Sequence, residues 1–533
     1  SSHCHHSHSC CIIRLNLGFF MSQNQSADNK RIAKNTLLLY FRMLLTMTVS
    51  LYTSRVVLNT LGVEDFGVYN VVGGVVAMLG FLTGSLGAAT SRFITYALGL
   101  GDFDRLKKTF ANILAIHCLF ALVIVVLAET IGLWFLSSYI QVPVGREDAA
   151  FGVYQLSVFT ALLSVISVPY NASIIAHERM GAFAYISILD VTLKLLIVFL
   201  LQIVSFDKLI FYACLLACVQ FLDQIIYIGY CKRHFKETLS LPKIDSKQFK
   251  EVLTFAGWTM NGNLAVMGYT QGLNILLNMF FGPVVNAARG IAVQVQGVVQ
   301  SFCVNFQMAL NPQLTKSYAQ ADFAHMHQLL NVSSKFSFFL LLFISFPACL
   351  EAQQVLQWWL GIVPDHTVAF LRLILFCGLL GALSNPIIVS VHATGKLKKF
   401  QLIEGTMLLL IVPIAYIGLK LFNLPPEYVF MVHIVVEMCT QYARLRIVLP
   451  MIRMKLRPYV KEVLFPIVKV LLSAPIIPII VYLHIEHSVQ SFFLICTLCV
   501  ICSSASIYWF GCTVSERQFV KNKMNVLCKK WKR

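Results

Sequence analysis

The chain has 533 residues, of which 58% are hydrophobic and only 12% are charged, and its mean hydropathy is +0.74. Soluble domains carry roughly a quarter charged residues, so this composition excludes a soluble enzyme, a disordered protein and a nucleic-acid-binding module. The formal net charge of +18 therefore indicates basic loops on the cytoplasmic side of a membrane before it indicates an anionic partner.

Residues 1–20, SSHCHHSHSCCIIRLNLGFF, mix histidine and cysteine and contain no signal-peptide cleavage site. We expect them to be non-native upstream sequence, with Met21 as the start, and we expect no metal site there. Most of the 16 cysteines lie inside apolar runs. A buried thiol packs as a small hydrophobic group, so we expect these cysteines to be reduced.

Membrane helices need roughly 20 mostly apolar residues, and the chain contains fourteen such runs. We therefore predict an all-α polytopic membrane protein with about 14 transmembrane helices. The predicted spans are 36–61, 67–97, 110–136, 149–176, 182–204, 209–230, 251–280, 283–313, 333–351, 366–393, 400–421, 427–449, 463–483 and 489–512.

The distribution of basic residues in the loops supports this count. An even number of spans places both termini on one side, and nearly all loop lysines and arginines then lie on that side. Only Arg146 and Lys208 lie on the other side. Because positive residues collect in cytoplasmic loops, we predict that both termini are cytoplasmic.

Two features repeat along the chain at nearly equal separation, Asn59 with Asn278 at helix ends and Pro169 with Pro386 at helix bends. This predicts two parallel six-helix lobes related by an axis along the membrane normal. The predicted units are a cytoplasmic tail (1–35), an N-lobe of helices 1–6 (36–230), an inter-lobe cytoplasmic loop (231–250), a C-lobe of helices 7–12 (251–449), helices 13 and 14 (450–512) and a basic cytoplasmic tail (513–533).

Charged and amide side chains inside the spans indicate a hydrophilic cavity between the lobes. A charge near the bilayer centre is costly unless it faces protein or a water-filled space. Snorkelling of arginines and hydrogen bonds between helices are the alternative explanations. The predicted cavity residues are Arg42, Arg55, Arg92 and Arg289 on helices 1, 2 and 8, Gln296 and Gln300 on helix 8, and Asn274 and Asn278 on helix 7.

A few buried acids are candidates for ion coupling. Asp190 and Lys194 are spaced to neutralise each other on helix 5. Glu437 shares a face of helix 12 with Gln441 and Arg444, whereas Asp223 and Glu404 have no evident partner in the sequence. These residues are either structural pairs or parts of an ion or proton relay. The sequence contains no motif for hydrolysis or nucleotide binding, so we expect no cofactor and no metal.

Two segments carry a family resemblance: 54–74, SRVVLNTLGVEDFGVYNVVGG, and Arg92-Phe93 followed by LGLGD at 98–102. Over residues 32–449 the chain resembles the multidrug/oligosaccharidyl-lipid/polysaccharide (MOP) exporter superfamily, especially polysaccharide or O-antigen flippases of the Wzx type. The resemblance implies a V-shaped, two-lobed fold in the bacterial inner membrane. It also implies alternating-access transfer of an undecaprenyl-pyrophosphate-linked oligosaccharide to the periplasmic leaflet for lipopolysaccharide, O-antigen or capsule. The lipid bilayer, a polysaccharide polymerase and a chain-length regulator are the expected partners, with no nucleic acid.

Two other classes compete with this interpretation. A multidrug exporter or lipid II flippase belongs to the same superfamily, but helix 1 lacks the acidic residue that coupled drug exporters often carry. A membrane polysaccharide polymerase or ligase would need catalytic groups on a sizeable outer loop. The longest outer loops, near 137–148 and 352–365, are short and lack such a pair. We therefore predict a flippase and not an enzyme.

Overall fold

The computed structural model describes residues 35–50, 52–53, 56–57, 60–62, 65, 68–69, 72, 80–139, 145–204, 207–239, 244–360, 363–486, 488–518 and 521. Within these residues the chain forms helices and no strand. The long helices are α1 (35–50), α2 (Gly80–Leu100), α3 (Phe103–Ser138), α4 (Glu147–Ala176), α5 (Met180–Ile203), α6 (Lys208–His234), α7 (Ser246–Phe281), α8 (Pro283–Ala319), α9 (Phe323–Leu350), α10 (Thr367–Thr394), α11 (Lys398–Phe422), α12 (Tyr428–Met451), α13 (Leu456–His484) and α14 (Val489–Gly511).

The helices confirm an all-α polytopic membrane protein. Each predicted span overlaps one of them, and among the described residues ten are long and apolar enough to cross a membrane. These ten are α3 to α7, α9 to α11, α13 and α14. The other four spans correspond to α1, which borders residues outside the description, and to α2, α8 and α12. Glycines and polar side chains lower the hydropathy of α2 and α8, and charged and polar side chains lower that of α12.

Several helices extend beyond their predicted apolar spans, which corrects the predicted boundaries. The helix α3 begins at Phe103 rather than 110, α7 at Ser246 rather than 251, and α9 at Phe323 rather than 333. An aspartate precedes each start, and the side chains of Asp102, Asp245 and Asp322 accept hydrogen bonds from the first free backbone N–H groups. This N-capping stabilises a helical turn outside the apolar region, where hydropathy gives no signal.

The helix α3 contains a π-helical turn over Ala128–Gly132. The carbonyl of Ala128 accepts the backbone N–H of Leu133, five residues on, and the Tyr154 hydroxyl on α4 donates a second hydrogen bond of 2.7 Å to it. A Cβ at position 132 would overlap the Tyr154 hydroxyl oxygen. Glycine at 132 is therefore required by the close approach of the two helices.

The helices pack into two groups that meet along α2. In the N-terminal group, α4 packs against α2, α3, α5 and α6; in the C-terminal group, α10 packs against α8, α9 and α12. The groups touch where α2 packs against α7 and α8 and where α3 packs against α7. The last helix, α14, packs on α9, and the buried ammonium of Lys335 on α9 bonds both carboxylate oxygens of Glu516 at 2.9 and 2.7 Å.

Large apolar side chains cover the outer surface of the helices. Leu122, Tyr185, Leu421 and Leu483 are 60%, 69%, 68% and 71% exposed. Contiguous apolar surface of this extent is not stable in water, so it faces lipid.

One end of the bundle, here called the basic end, contains the short turns α2–α3, α4–α5, α8–α9 and α10–α11. Arg105, Lys107, Arg179, Lys316 and Lys396 lie at or beside these turns. At the opposite end, Arg146 bridges Asp65 and Asp207 by two ion pairs. The charge asymmetry of the loops is therefore a property of the folded bundle.

Replacement of Gly132 by Ala should lower the melting temperature of the purified protein, because the new methyl group meets the Tyr154 hydroxyl. Overpacking of this kind costs about 1–3 kcal/mol. Gly152→Ala on α4 is the matched control, since a Cβ there meets no atom within 4 Å. Equal melting temperatures for the two variants would contradict the close α3–α4 contact.

Candidate functional site

A cavity of about 680 Å³ lies between α1 and α5 of the N-terminal group and α8 of the C-terminal group. Its lining is mixed: hydroxyl, amide and charged side chains lie among apolar ones such as Met43, Met47 and Val49, so it offers both polar and apolar contacts to a ligand. The lining residues are Arg42, Met43, Thr46, Met47, Val49, Ser50, Thr53, Ser187, Asp190, Val191, Lys194, Gln294, Gly297, Val298 and Ser301.

Arg42 joins the three helices that form this cavity. Its guanidinium donates to Asn305 Oδ1 on α8 at 2.9 Å and to Ser187 Oγ on α5 at 3.4 Å, and it stacks over the Phe183 ring at 4.6 Å. Its Nε is buried and makes no hydrogen bond to the protein. No carboxylate pairs with Arg42 among the described residues, so its positive charge is available to an anion in the cavity.

The acids predicted on α5 and α6 lie together. Lys194 pairs with Asp190 at 2.8 Å, and both residues line the cavity. Asp223 on α6 is buried and interacts with both Asp190 and Lys194. Asp223 therefore has neighbours that its isolated position in the sequence did not reveal, and the cluster holds two carboxylates against one lysine.

The amides of the α8 stripe contact α9 and α10 rather than the cavity. Gln296 donates to the Ile374 carbonyl at 3.4 Å, and Gln300 lies against Gly378. Deeper along α8, Gln307 donates to Ser337 Oγ and to the Ala382 carbonyl at 2.9 and 3.0 Å. Gln296 and Gln307 thus form helix–helix hydrogen bonds, the alternative considered for this stripe, whereas Gln300 Oε1 and Asn311 Oδ1 are buried without a partner among the described residues. The cavity is lined by Gln294, Gly297 and Ser301 on the neighbouring face of α8.

Arg289 and Asn274 are brought together by the turn between α7 and α8. The guanidinium of the buried Arg289 donates to Asn274 Oδ1 and, at 3.2 Å, to the Thr270 carbonyl. These contacts direct the Arg289 guanidinium along α7 and away from the cavity lining. Asn278 is exposed. Arg55, also predicted in the cavity, lies outside the described residues.

A buried network of ion pairs lies in the interior of the C-terminal group. Arg444 on α12 binds Glu404 on α11 at 2.7 Å and Glu437 at 2.5 Å. Ser384 on α10 donates to Glu437 and Gln441 at 3.1 and 2.9 Å. Glu404 therefore has a partner, which corrects its description as a lone acid. No spacing rule could find this pair, because the two residues lie on different helices.

The basic end is closed by contacts between the two groups. The carboxylate of Glu178, in the α4–α5 turn, accepts hydrogen bonds from Lys316 and Gln313 on α8, each at 2.7 Å. A Cβ at Gly99 would lie 3.0 Å from the backbone of Lys316, so α2 and α8 touch directly there. Glu178 adopts φ of 58°, a left-handed conformation that is unfavourable for a non-glycine residue. Sequence reasoning missed Glu178, since its partners are more than 130 positions away.

Arg92 lies at the basic end, apart from the cavity around Arg42. Its Nε donates to the His392 carbonyl on α10 at 3.2 Å. Arg92 lines a second, separate pocket of about 420 Å³. The predicted arginines therefore do not form one cationic wall: Arg42 lines the central cavity, Arg289 faces α7, and Arg92 faces the basic end.

The described residues contain no group of three side chains suited to hold a metal ion. The His/Cys-rich segment 1–20 lies outside the description.

Comparison with solved structures defines the class of fold. The chain is 16% identical to MATE in the straight conformation (TM-score 0.64), to an outward-facing multidrug resistance MATE family transporter of the MOP superfamily (0.63), and to a MOP superfamily transporter from Pyrococcus furiosus described as having reversed binding-pocket polarity (0.60). Each match covers 78% of this chain and 94% of the other. The chain therefore has the fold of the MOP-superfamily transporters.

The family follows from the sequence comparison. The model described as "Polysaccharide biosynthesis protein" matches residues 32–318, more than half of the chain. The chain belongs to this family. A comparison with curated proteins gives no match.

Replacement of Arg444 by Met should prevent accumulation of folded protein, because it leaves two carboxylates buried without a counter-charge. Removing one partner of a buried pair costs about 3–5 kcal/mol. The triple variant Arg444→Met, Glu404→Gln, Glu437→Gln removes all three charges and should recover folded protein in size-exclusion chromatography. Failure of both variants alike would show that the charges themselves, and not their balance, are required.

Replacement of Glu178 by Gln should open the basic end more often. Charged hydrogen bonds are worth about 1.5–3 kcal/mol, so the closed-to-open ratio should fall about tenfold or more. Fluorophores placed through unnatural amino acids at the exposed positions Phe103 and Ala324 would report the separation of the two groups.

The charge exchange Glu178→Lys with Lys316→Glu is the control for this measurement, since it preserves the ion pair. It should restore part of the closed population. An unchanged distance distribution in Glu178→Gln would show that this pair does not hold the basic end closed.

Proposed function

We propose that this protein is a flippase that moves an undecaprenyl-pyrophosphate-linked oligosaccharide across the bacterial inner membrane for surface polysaccharide synthesis. The observation that carries the proposal is a cavity between the two helix groups of a chain from the polysaccharide biosynthesis family. It is lined by hydroxyl and charged side chains, among them Arg42, which has no carboxylate partner among the described residues. The basic end is cytoplasmic in this proposal, as are both termini.

The cavity chemistry fits the head group of such a lipid. A pyrophosphate is anionic and a glycan is hydrated, so together they need a cation and many hydrogen-bonding groups. Arg42 offers a planar guanidinium for phosphate oxygens. Thr46, Ser50, Thr53 and Ser301 offer hydroxyls for sugars, while the polyprenyl tail remains in lipid. The apolar outer surface of the helices accommodates that tail.

The closed basic end fits one step of alternating access. The Glu178 contacts with α8 separate the cavity from the cytoplasmic side. This conformation would release the head group toward the periplasm, and breaking the same contacts would admit the next one. Moving a head group by rocking two parallel helix groups needs no nucleotide, in keeping with the absence of a nucleotide-binding motif.

A polymerase or ligase is less well supported. Such an enzyme needs available catalytic groups at the outer end. Among the residues described there, Arg146 engages both Asp65 and Asp207 in ion pairs, and His366 pairs with Glu427. These acids are held by their partners, and the family match favours a transporter. Interaction of the flippase with a separate polymerase and chain-length regulator is part of the proposal.

Replacement of Arg42 by Ala should abolish surface polysaccharide in a strain that lacks the chromosomal gene and carries the variant. Loss of one bidentate charged contact costs about 1.5–3 kcal/mol, so export should fall at least tenfold. Arg42→Lys should recover only part of the export, because an ammonium cannot match two phosphate oxygens at once. The measurement is surface glycan together with undecaprenyl-linked intermediates, normalised to membrane protein level.

Arg233→Ala is the matched control, since Arg233 is exposed at the end of α6 and lies outside the cavity. Accumulation of the undecaprenyl-linked unit on the cytoplasmic side in the deletion strain supports the flippase. Unchanged glycans with altered drug sensitivity would instead indicate a multidrug exporter, and unpolymerised units in the periplasm would indicate a polymerase.

A further inference from the structure

The second pocket, at the basic end, combines cationic and aromatic side chains from both helix groups. It has a volume of about 420 Å³ and lies between α2, the first turns of α7 and the α10–α11 turn. Its lining residues include Arg92, Lys247, Lys250, Glu251, Phe255 and Trp258. Three cations against one carboxylate leave this lining with a net positive charge.

Arg92 is the buried centre of the pocket. It is 8% exposed, and its guanidinium stacks on the rings of Phe93, Tyr96 and Phe255 at 4.2, 4.8 and 5.5 Å. In the part of the chain that the structure describes, Arg92 makes no ion pair, and its recorded hydrogen bond goes to a backbone carbonyl. Glu251 in the same lining attracts the guanidinium electrostatically but forms no ion pair with it among the described residues, so the desolvated charge can take a further anion.

The backbone beside Arg92 is shaped to admit its side chain. Gly395 has φ of +74°, and a Cβ there would lie 2.6 Å from Arg92 Nη2. The positive φ favours glycine, and a side chain there would also displace the Arg92 guanidinium from its present place. The guanidinium thus occupies a fixed place at the junction of the two helix groups, and its position does not depend on a flexible loop.

The rim of the pocket carries lysine and tryptophan side chains. Lys247 and Lys250 are exposed on the first turns of α7, and Lys398 stacks on the Trp258 ring at 5.9 Å. Tryptophan and lysine at a helix end are typical of the membrane interface. Asp245 already caps the start of α7, so the side chains and not the helix N-terminus supply the positive charge.

We propose that this pocket binds the phosphoryl head group of a lipid from the leaflet at the basic end, with Arg92 contacting the phosphate at its base and Lys247 and Lys250 at its rim. The pocket joins α2 to α7 and to the α10–α11 turn, so a bound phosphate bridges the two helix groups in the closed conformation. Two lipids share this chemistry, a polyprenyl pyrophosphate and an anionic phospholipid. Binding of the polyprenyl pyrophosphate rests on the proposed function, whereas binding of the phospholipid does not.

Binding of defined lipids to the purified full-length protein tests the proposal. The probes are undecaprenyl pyrophosphate, undecaprenol, phosphatidylglycerol and phosphatidylcholine, measured by native mass spectrometry from one detergent. The double variant Lys247→Gln, Lys250→Gln alters exposed side chains only, so it should fold. Each basic residue near a lipid surface contributes about a fivefold affinity gain, so this variant should bind phosphoryl lipid about thirtyfold more weakly.

Lys232→Gln with Arg233→Gln removes the same charge at the end of α6, outside the pocket, and should bind like the parent protein. If the Arg92→Gln variant folds, it should bind phosphoryl lipid more weakly still. Selective loss of undecaprenyl pyrophosphate identifies the substrate head group, and selective loss of phosphatidylglycerol identifies a structural phospholipid. Equal binding by the two double variants, or binding of undecaprenol as tight as that of its pyrophosphate, overturns the proposal. Because no transport is measured, these outcomes remain separate from a failure of the flippase assay.

Discussion

Hydrocarbon offers no hydrogen bonds, and this constraint governs where the polar side chains of the bundle lie. Inside the spans, amides and charges turn toward other helices. Gln307 bonds α9 and α10, Asn263 bonds Ser85 across the two groups, and Arg444 holds Glu404 and Glu437. Each hydrogen bond between two helices fixes how they are rotated about their axes. Apolar packing alone would leave that rotation less defined, because lipid and neighbouring helices are equally apolar.

Both helix groups leave some buried polar atoms without a hydrogen-bond partner among the described residues. In the C-terminal group, Arg444 neutralises one of two carboxylates and is surrounded by further donors and acceptors. Around the cavity, Arg42 Nε and Asp223 Oδ1 make no hydrogen bond to the protein. A buried polar group without a protein partner is a candidate site for a ligand or a proton, because binding there supplies the missing hydrogen bond. In the C-terminal group, Gln300 Oε1, Asn311 Oδ1 and Gln441 Nε2 are also buried without a partner. The contrast lies in charge, because Arg444 is paired with carboxylates and Arg42 is not.

The sequence predicted the helical architecture well, because hydropathy and loop charge both follow from the membrane itself. Helix boundaries were wrong where Asp102, Asp245 and Asp322 cap helices outside the lipid, since capping depends on one hydrogen bond and not on hydropathy.

The site was harder to predict. Periodicity correctly indicated that Arg289, Gln296 and Gln300 share a face, but it could not say whether that face meets a cavity or another helix. The contacts Arg42–Asn305 and Glu178–Lys316 join residues more than 130 positions apart, and no local pattern encodes them.

The pairing of Lys335 with Glu516 has a consequence for the order of synthesis. Lys335 is 2% exposed on α9, yet its carboxylate partner lies 181 residues further along the chain. At about 5–20 residues per second, a ribosome needs roughly 10–35 s to supply that partner. During this interval the ammonium lacks this carboxylate, so the ion pair can form only after α13 and α14 have been made. The residues after α14 thus complete the packing around a segment synthesised long before them, and a chain that stops before Glu516 would leave a buried lysine without its partner.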